Sequence, residues 1–217
     1  MRVYHFLNAK YGLEALKKRR LKVSRIDDLN DPFEMLGTDL SDRKLRQAFL
    51  KTKSDLAKDC GLLCFSKRWR NPVLWSHYAD RHRGLCLGFD APDGLLFSVT
   101  YTTKRTAPDK LFSDDQSVKE KEMERILTTK FNHWRYEDEA RFFVRLSDMD
   151  SYSGHYFFEF SEKLKLTQVL VGAEASISRS DIEEALGKEN AYIERLKARA
   201  AFKTFNVVRN RKQSMWI

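Results

Sequence analysis

Short runs dense in aliphatic, aromatic and β-branched residues alternate along the chain with longer stretches whose apolar residues fall at helical spacing. A strand at 4–7 leads to Asn8, a helix cap, and to a helix carrying Leu13 and Leu16 that ends in the basic residues 17–20. A second strand follows at 21–24. Asn30-Asp31-Pro32 is a turn signature, with Phe33 expected to plug the core behind it. Ser41 caps an amphipathic helix over 41–58, and 61–66 reads as a buried strand. Pro72 opens a helix that sets Trp75, Tyr78 and Ala79 on neighbouring positions.

The runs 85–90 and 96–101, joined through Pro92-Asp93-Gly94, predict an antiparallel hairpin. A polar loop over 104–113 precedes a helix from about 117 to 131, whose face includes Met123, Ile126, Leu127 and Lys130. Strands are expected at 140–146, 155–160 and 166–172, with a polar loop at 147–154. A capping box at Ser180 opens a helix to Leu186. A helical segment over 191–196 and a last strand over 200–208 complete the pattern. The irregular order of strands and helices predicts an α+β fold, with mixed, mainly antiparallel sheets and flanking helices.

One stretch is costly unless its charges are partnered or used. Trp134, Tyr136, Glu137, Glu139 and Arg141 stand directly before the apolar run 142–144. Glu139 is the candidate catalytic carboxylate and Glu137 its neighbour. A structural ladder explains the same spacing, with Glu137, Glu139 and Arg141 on one side of an extended chain. His77 is open to two readings, an acid, base or ligand on the one hand and a hydrogen-bonded core residue on the other.

Composition narrows the class. The 217 residues are 42% hydrophobic and 33% charged, globular values, and are read as one domain with a core over 1–172 and a basic tail of helix and strand over 173–217. Forty Lys and Arg against 31 Asp and Glu give a net charge of +9, which suits anionic partners. No apolar run approaches the roughly 18 residues that span a bilayer, and the N-terminus has a strand pattern without a signal peptide's apolar region. A cytoplasmic protein without a membrane partner is expected. The three cysteines, Cys60, Cys64 and Cys86, fit reduced core thiols. A zinc set with His82 lacks the tight ligand knuckle of a structural site, so no metal is expected. There is no glycine-rich phosphate loop and no nucleophile elbow.

Four blocks together carry a resemblance: Asn30-Asp31-Pro32-Phe33, Cys64-Phe65-Ser66, Leu74-Trp75-Ser76-His77-Tyr78-Ala79 followed by Gly84, and Trp134-x-Tyr136-Glu137-x-Glu139-x-Arg141. In that order they resemble the bacterial family known as domain of unknown function 2971, over residues 1 to about 145. That family brings no activity with it. A looser similarity is to the ADP-ribosyltransferase superfamily, which places an aromatic or basic residue on a first strand, a serine-type residue on a second and a glutamate at the start of a later one. The similarity implies NAD as the substrate, with Glu139 catalytic and Tyr4, His5, Ser66, Trp134, Tyr136 and Arg141 around the dinucleotide. Trp75, His77, Tyr78, Asn30, Asp31 and Glu137 are further pocket candidates. Transfer of ADP-ribose to nucleic acid or protein is the function so implied. The alternative is a non-enzymatic nucleic-acid-binding module using residues 67–70 and the basic tail. A hydrolase pairing His77 with Glu137 is a third reading.

Overall fold

The computed structural model describes every residue except 109, 110, 112, 148, 213, 215 and 217. Its strands are β1 (Arg2–Leu7), β2 (Arg20–Arg25), β3 (Cys60–Ser66), β4 (Leu85–Asp90), β5 (Phe97–Ser98), β6 (Thr100–Thr102) and β7 (Thr129–Phe131). They continue with β8 (Glu139–Arg145), β9 (Met149–Asp150), β10 (His155–Glu159), β11 (Lys165–Val171), β12 (Glu194–Ala200) and β13 (Val207–Arg209). The helices are α1 (Ala9–Lys18), α2 (Arg43–Asp59), α3 (Pro72–Tyr78), α4 (Gln116–Leu127) and α5 (Arg179–Leu186). The fold is α+β, as the pattern predicts. The large sheet runs β13-β12-β11-β4-β1-β3-β2-β10-β9, with β8 on β3 and β5 on β8. Its pairings are antiparallel apart from β11 with β12, which α5 connects.

Helix ends follow local chemistry. The Asn8 side chain accepts from the Tyr11 N–H, and the Asn71 side chain accepts from the Val73 N–H with Pro72 in the first turn. Alternation along the strands divides the core. Val3, Leu63, Phe65, Leu85, Leu87, Ala140 and Phe142 point to the face covered by Leu16 of α1 and Ile182 of α5. On the other face Tyr4 and Cys86 pack with Trp75 and Ala79 around α3, while Leu62 packs with Phe49, Ala57 and Ile126 between α2 and α4. The functional candidates lie between these two apolar clusters.

The sheet is split there. β8 pairs with the whole of β3, from Cys60↔Arg145 to Ser66↔Glu139. On its other edge β3 meets β2 at Gly61 and Leu62 and β1 at Ser66 opposite Tyr4. Both neighbours splay away between those points. The His5 imidazole reaches across, its Nδ1 2.8 Å from the Cys64 carbonyl, and supplies the donor that a continuous ladder would have provided.

Several local expectations are corrected. Phe97–Ser98 pairs with β8 and not with β4, and Thr100–Thr102 lies parallel to Thr129–Phe131, so the hairpin does not form. The α4 helix stops at Leu127, and Lys130 sits on a strand. Asp42, not Ser41, caps α2, and the capping box of α5 is Ser178 with Asp181, because its side chains meet the first-turn N–H groups. The segment expected to be helical at 191–196 enters β12, and the expected last strand is two strands separated by a loop. Phe33 is exposed, since the turn carries its ring outward. Met149–Asp150 forms a short strand within the expected loop at 147–154. Parts of the loops at 104–113 and 147–154 lie outside the described residues.

Candidate functional site

The split opens into a cavity of about 280 Å³. β1 contributes Tyr4, His5 and Phe6, and β3 contributes Cys64, Phe65 and Ser66. The segment after β2 adds Asp28, Leu29, Asn30 and Glu34, while Leu74 and Tyr78 come from α3. Lys130, Glu137 and Glu139 close the remaining side. Tyr4, Ser66 and Glu139 form one lateral row, because Tyr4 is opposite Ser66 and Ser66 opposite Glu139 across three strands.

Behind that row is a buried charge network. Arg141 donates from Nε to Glu139 Oε1 at 2.9 Å, and from Nη1 to Glu34 Oε1 and the Leu127 carbonyl, each at 2.6 Å. Lys130 Nζ lies 2.6 Å from Glu137 Oε2 and 3.2 Å from Glu139 Oε2. The Tyr78 hydroxyl donates to the other oxygen of Glu137, and Asn30 Nδ2 donates to that hydroxyl. The Tyr101 hydroxyl accepts the Glu139 N–H. All five charged side chains are buried.

The two neighbouring glutamates are driven apart. Burial is the largest influence on each. At Glu137 it prevails over Lys130 and Tyr78, so the carboxyl rises above its ordinary range. At Glu139 the opposing fields of Arg141 and Lys130 outweigh burial, and the carboxyl is held below it. Glu139 is therefore favoured as the anion, and Glu137 is the more easily protonated of the two. Burial also depresses the His5 pKa, which keeps the bridging imidazole neutral.

Other candidates stand elsewhere. Arg141 is one layer behind the cavity wall. Trp75 is fully buried, its Nε1 donating to the Trp69 carbonyl. Asp31 is buried beneath the turn, where one oxygen accepts the Phe33 N–H. His77 is exposed, with Nδ1 3.1 Å from the Tyr136 hydroxyl. It is neither a core residue nor a partner of Glu137, whose neighbours are Lys130 and Tyr78. Trp134 and Tyr136 flank the network and do not line the cavity; the Trp134 ring lies 4.8 Å from Lys130 Nζ. The Ser66 hydroxyl closes its own turn, donating to the Arg68 carbonyl and accepting the Arg68 N–H. The expected ladder forms in part: Glu139 and Arg141 pair along the extended β8, whereas Glu137 lies in the 3-10 turn 132–137 before the left-handed Asp138 and joins them only through Lys130.

Sequence reasoning missed Lys130, Glu34 and Tyr101. The β-branched pair Thr128-Thr129 before Lys130 was the available signal for a strand there. Among the described residues no cluster of His, Cys, Asp or Glu could hold a metal, and no helix is long and apolar enough to cross a membrane. Comparison of the chain with protein-family models, curated proteins and solved structures finds no match.

Proposed function

We propose that the split-sheet cleft binds the nicotinamide–ribose end of NAD and transfers ADP-ribose to an acceptor. The observation that carries this reading is the charge balance of the wall: among the described residues Glu34, Glu137 and Glu139 form ion pairs only with Lys130 and Arg141, which leaves one negative charge in excess when all are ionised. A buried excess of this kind is met by a proton or by a cationic ligand. The pyridinium ring is such a cation, and so is the oxocarbenium-like ribose formed as the glycosidic bond breaks. Phe6, Leu74 and Tyr78 give the cavity apolar surface for a ring.

The C1′–N bond breaks with its electron pair passing to the ring nitrogen, and neutral nicotinamide leaves. Glu139, fixed by Arg141, stabilises the positive charge on the ribose. The acceptor attacks C1′, and its proton passes to the Glu137 carboxylate. Incubation with NAD labelled in the adenosine half, with nucleic acid or protein acceptors, tests this by nicotinamide release and acceptor labelling. Glu139→Gln is expected to lower turnover by about 10²–10³ while its circular dichroism matches the parent. Equal turnover by the variant, or no nicotinamide release by the parent with any acceptor, overturns the assignment.

A further inference from the structure

A second concave surface differs in character from that cleft. A groove of about 1100 Å³ runs along β12 and β13, and its charged lining is wholly cationic: Arg70, Arg179, Arg195, Lys197, Arg199, Lys203, Arg209, Arg211 and Lys212. Three of these are already engaged. Arg179 pairs with Glu183, Arg209 with Glu194, and buried Lys197 donates to the Ala175 carbonyl. Among the described residues the other six have no acidic partner. Cations gathered on one concave face repel one another, which raises the free energy of the empty groove and favours a polyanion.

One further feature defines that polyanion. The loop between β12 and β13 holds Phe202 and Phe205 almost fully in solvent, 90% and 98% exposed. The Arg199 guanidinium lies 4.3 Å from the Phe202 ring centroid, so a cation and an aromatic face stand together at the groove's edge.

We infer that this groove binds single-stranded nucleic acid, its cations following the phosphates and Phe202 and Phe205 stacking on unpaired bases. Phosphate-lined cations with interleaved aromatic faces are the general solution for an unpaired strand. A duplex keeps its bases stacked inside and offers the phenylalanines nothing, and a flat lipid surface does not enter a groove. The Phe205 loop is held in place from behind, because the Val207 N–H donates to the Arg70 carbonyl at 2.8 Å. Arg70 of the groove stands four residues after Ser66 of the split-sheet cleft. Binding does not depend on NAD chemistry at the cleft.

Fluorescence anisotropy with a labelled 12-nucleotide single strand, the same sequence as a duplex, and anionic phosphatidylserine vesicles tests the inference on the full chain. The single strand is expected to bind most tightly, with a log–log salt slope of about −4 if six cations each contribute about −0.7. Phe202→Ala is expected to weaken single-strand binding about tenfold and to leave the salt slope unchanged. Lys203→Glu with Arg211→Glu should make the slope shallower. Both sets lie on exposed positions, so folding is checked by an unchanged melting temperature. Tighter binding to vesicles or duplex than to the single strand, or affinity unaffected by Phe202→Ala and by the charge reversals, overturns it.

Discussion

Replacing Lys130 by Met isolates the energetics of the charge network. The ammonium is 2.6 Å from Glu137 and 3.2 Å from Glu139, and the side chains on both sides are buried. Met keeps most of the aliphatic volume and removes the charge. Breaking a buried pair in this way costs about 3–5 kcal/mol, because the surviving carboxylates are stranded without water. For a chain of this length each kcal/mol is worth roughly 2–4 °C, so the melting temperature at pH 8 should fall by about 10 °C. The loss should shrink on acidification. Burial already raises the Glu137 carboxyl, and without Lys130 it rises further. A carboxyl raised in the folded state takes up a proton on folding, so its contribution is fully present below the unfolded value of about 4.3 and is lost as pH climbs through the folded one. The gap between variant and parent should therefore narrow from pH 8 to pH 5. Thermal and urea denaturation at both pH values measure it, with the exposed Lys58→Met as a control that changes nothing. Adding Glu137→Gln to Lys130→Met should recover much of the loss. A variant as stable as the parent at pH 8, or a deficit that does not change with pH, refutes the reasoning.

Two other perturbations read the frame around the cleft. Gly84→Ala would put a Cβ 2.0 Å from the Leu7 carbonyl oxygen, so β1 and the turn before β4 must separate; a loss of about 2–4 kcal/mol is expected by urea denaturation. The depressed His5 pKa means that its stabilisation is present above about pH 6.5 and is lost as pH falls through the folded value. His5→Asn, whose amide can still donate to the Cys64 carbonyl, should reduce the fall in parent stability between pH 7 and pH 5, as read from melting temperatures.

What was legible in the chain was local. Asn8 and Asn71 cap helices because a short polar side chain meets an N–H two or three residues ahead, and that depends on sequence alone. Tyr4, His5, Ser66, Glu139, Glu137, Tyr78 and Asn30 do share one cavity; Tyr4 and His5 lie within β1, and the others at the end of a strand, in the segment after one, or on the short helix behind it. Partner choice was not legible. Phe97 and Ser98 look like half of a hairpin with β4, yet they find β8, a strand about forty residues further along, because pairing is settled by the assembled sheet. Lys130 was hidden for a related reason. It continues the helical spacing of α4, but the chain straightens after Leu127 and turns the ammonium inward. The competition of β1 and β2 for one edge of β3 leaves no trace in either strand's own sequence.

The network assigns its charges to different roles. Arg141 commits Nε and Nη2 to Glu139 and Nη1 to Glu34 and to the end of α4, so the Glu139 carboxylate is held in one orientation by a fully buried fork. Among the described residues Glu137 has no arginine partner; it rests on the Lys130 ammonium, which it shares with Glu139, and on the Tyr78 hydroxyl at the cavity wall. Of the two carboxyls lining the cavity, Glu137 is the more easily protonated, because burial raises it while Arg141 and Lys130 hold Glu139 down. An apolar wall of the same shape would be at least as stable. Retaining three acids against two cations thus costs stability, and what it provides is a fixed anion beside one whose charge can change, both facing the cavity where the sheet is split.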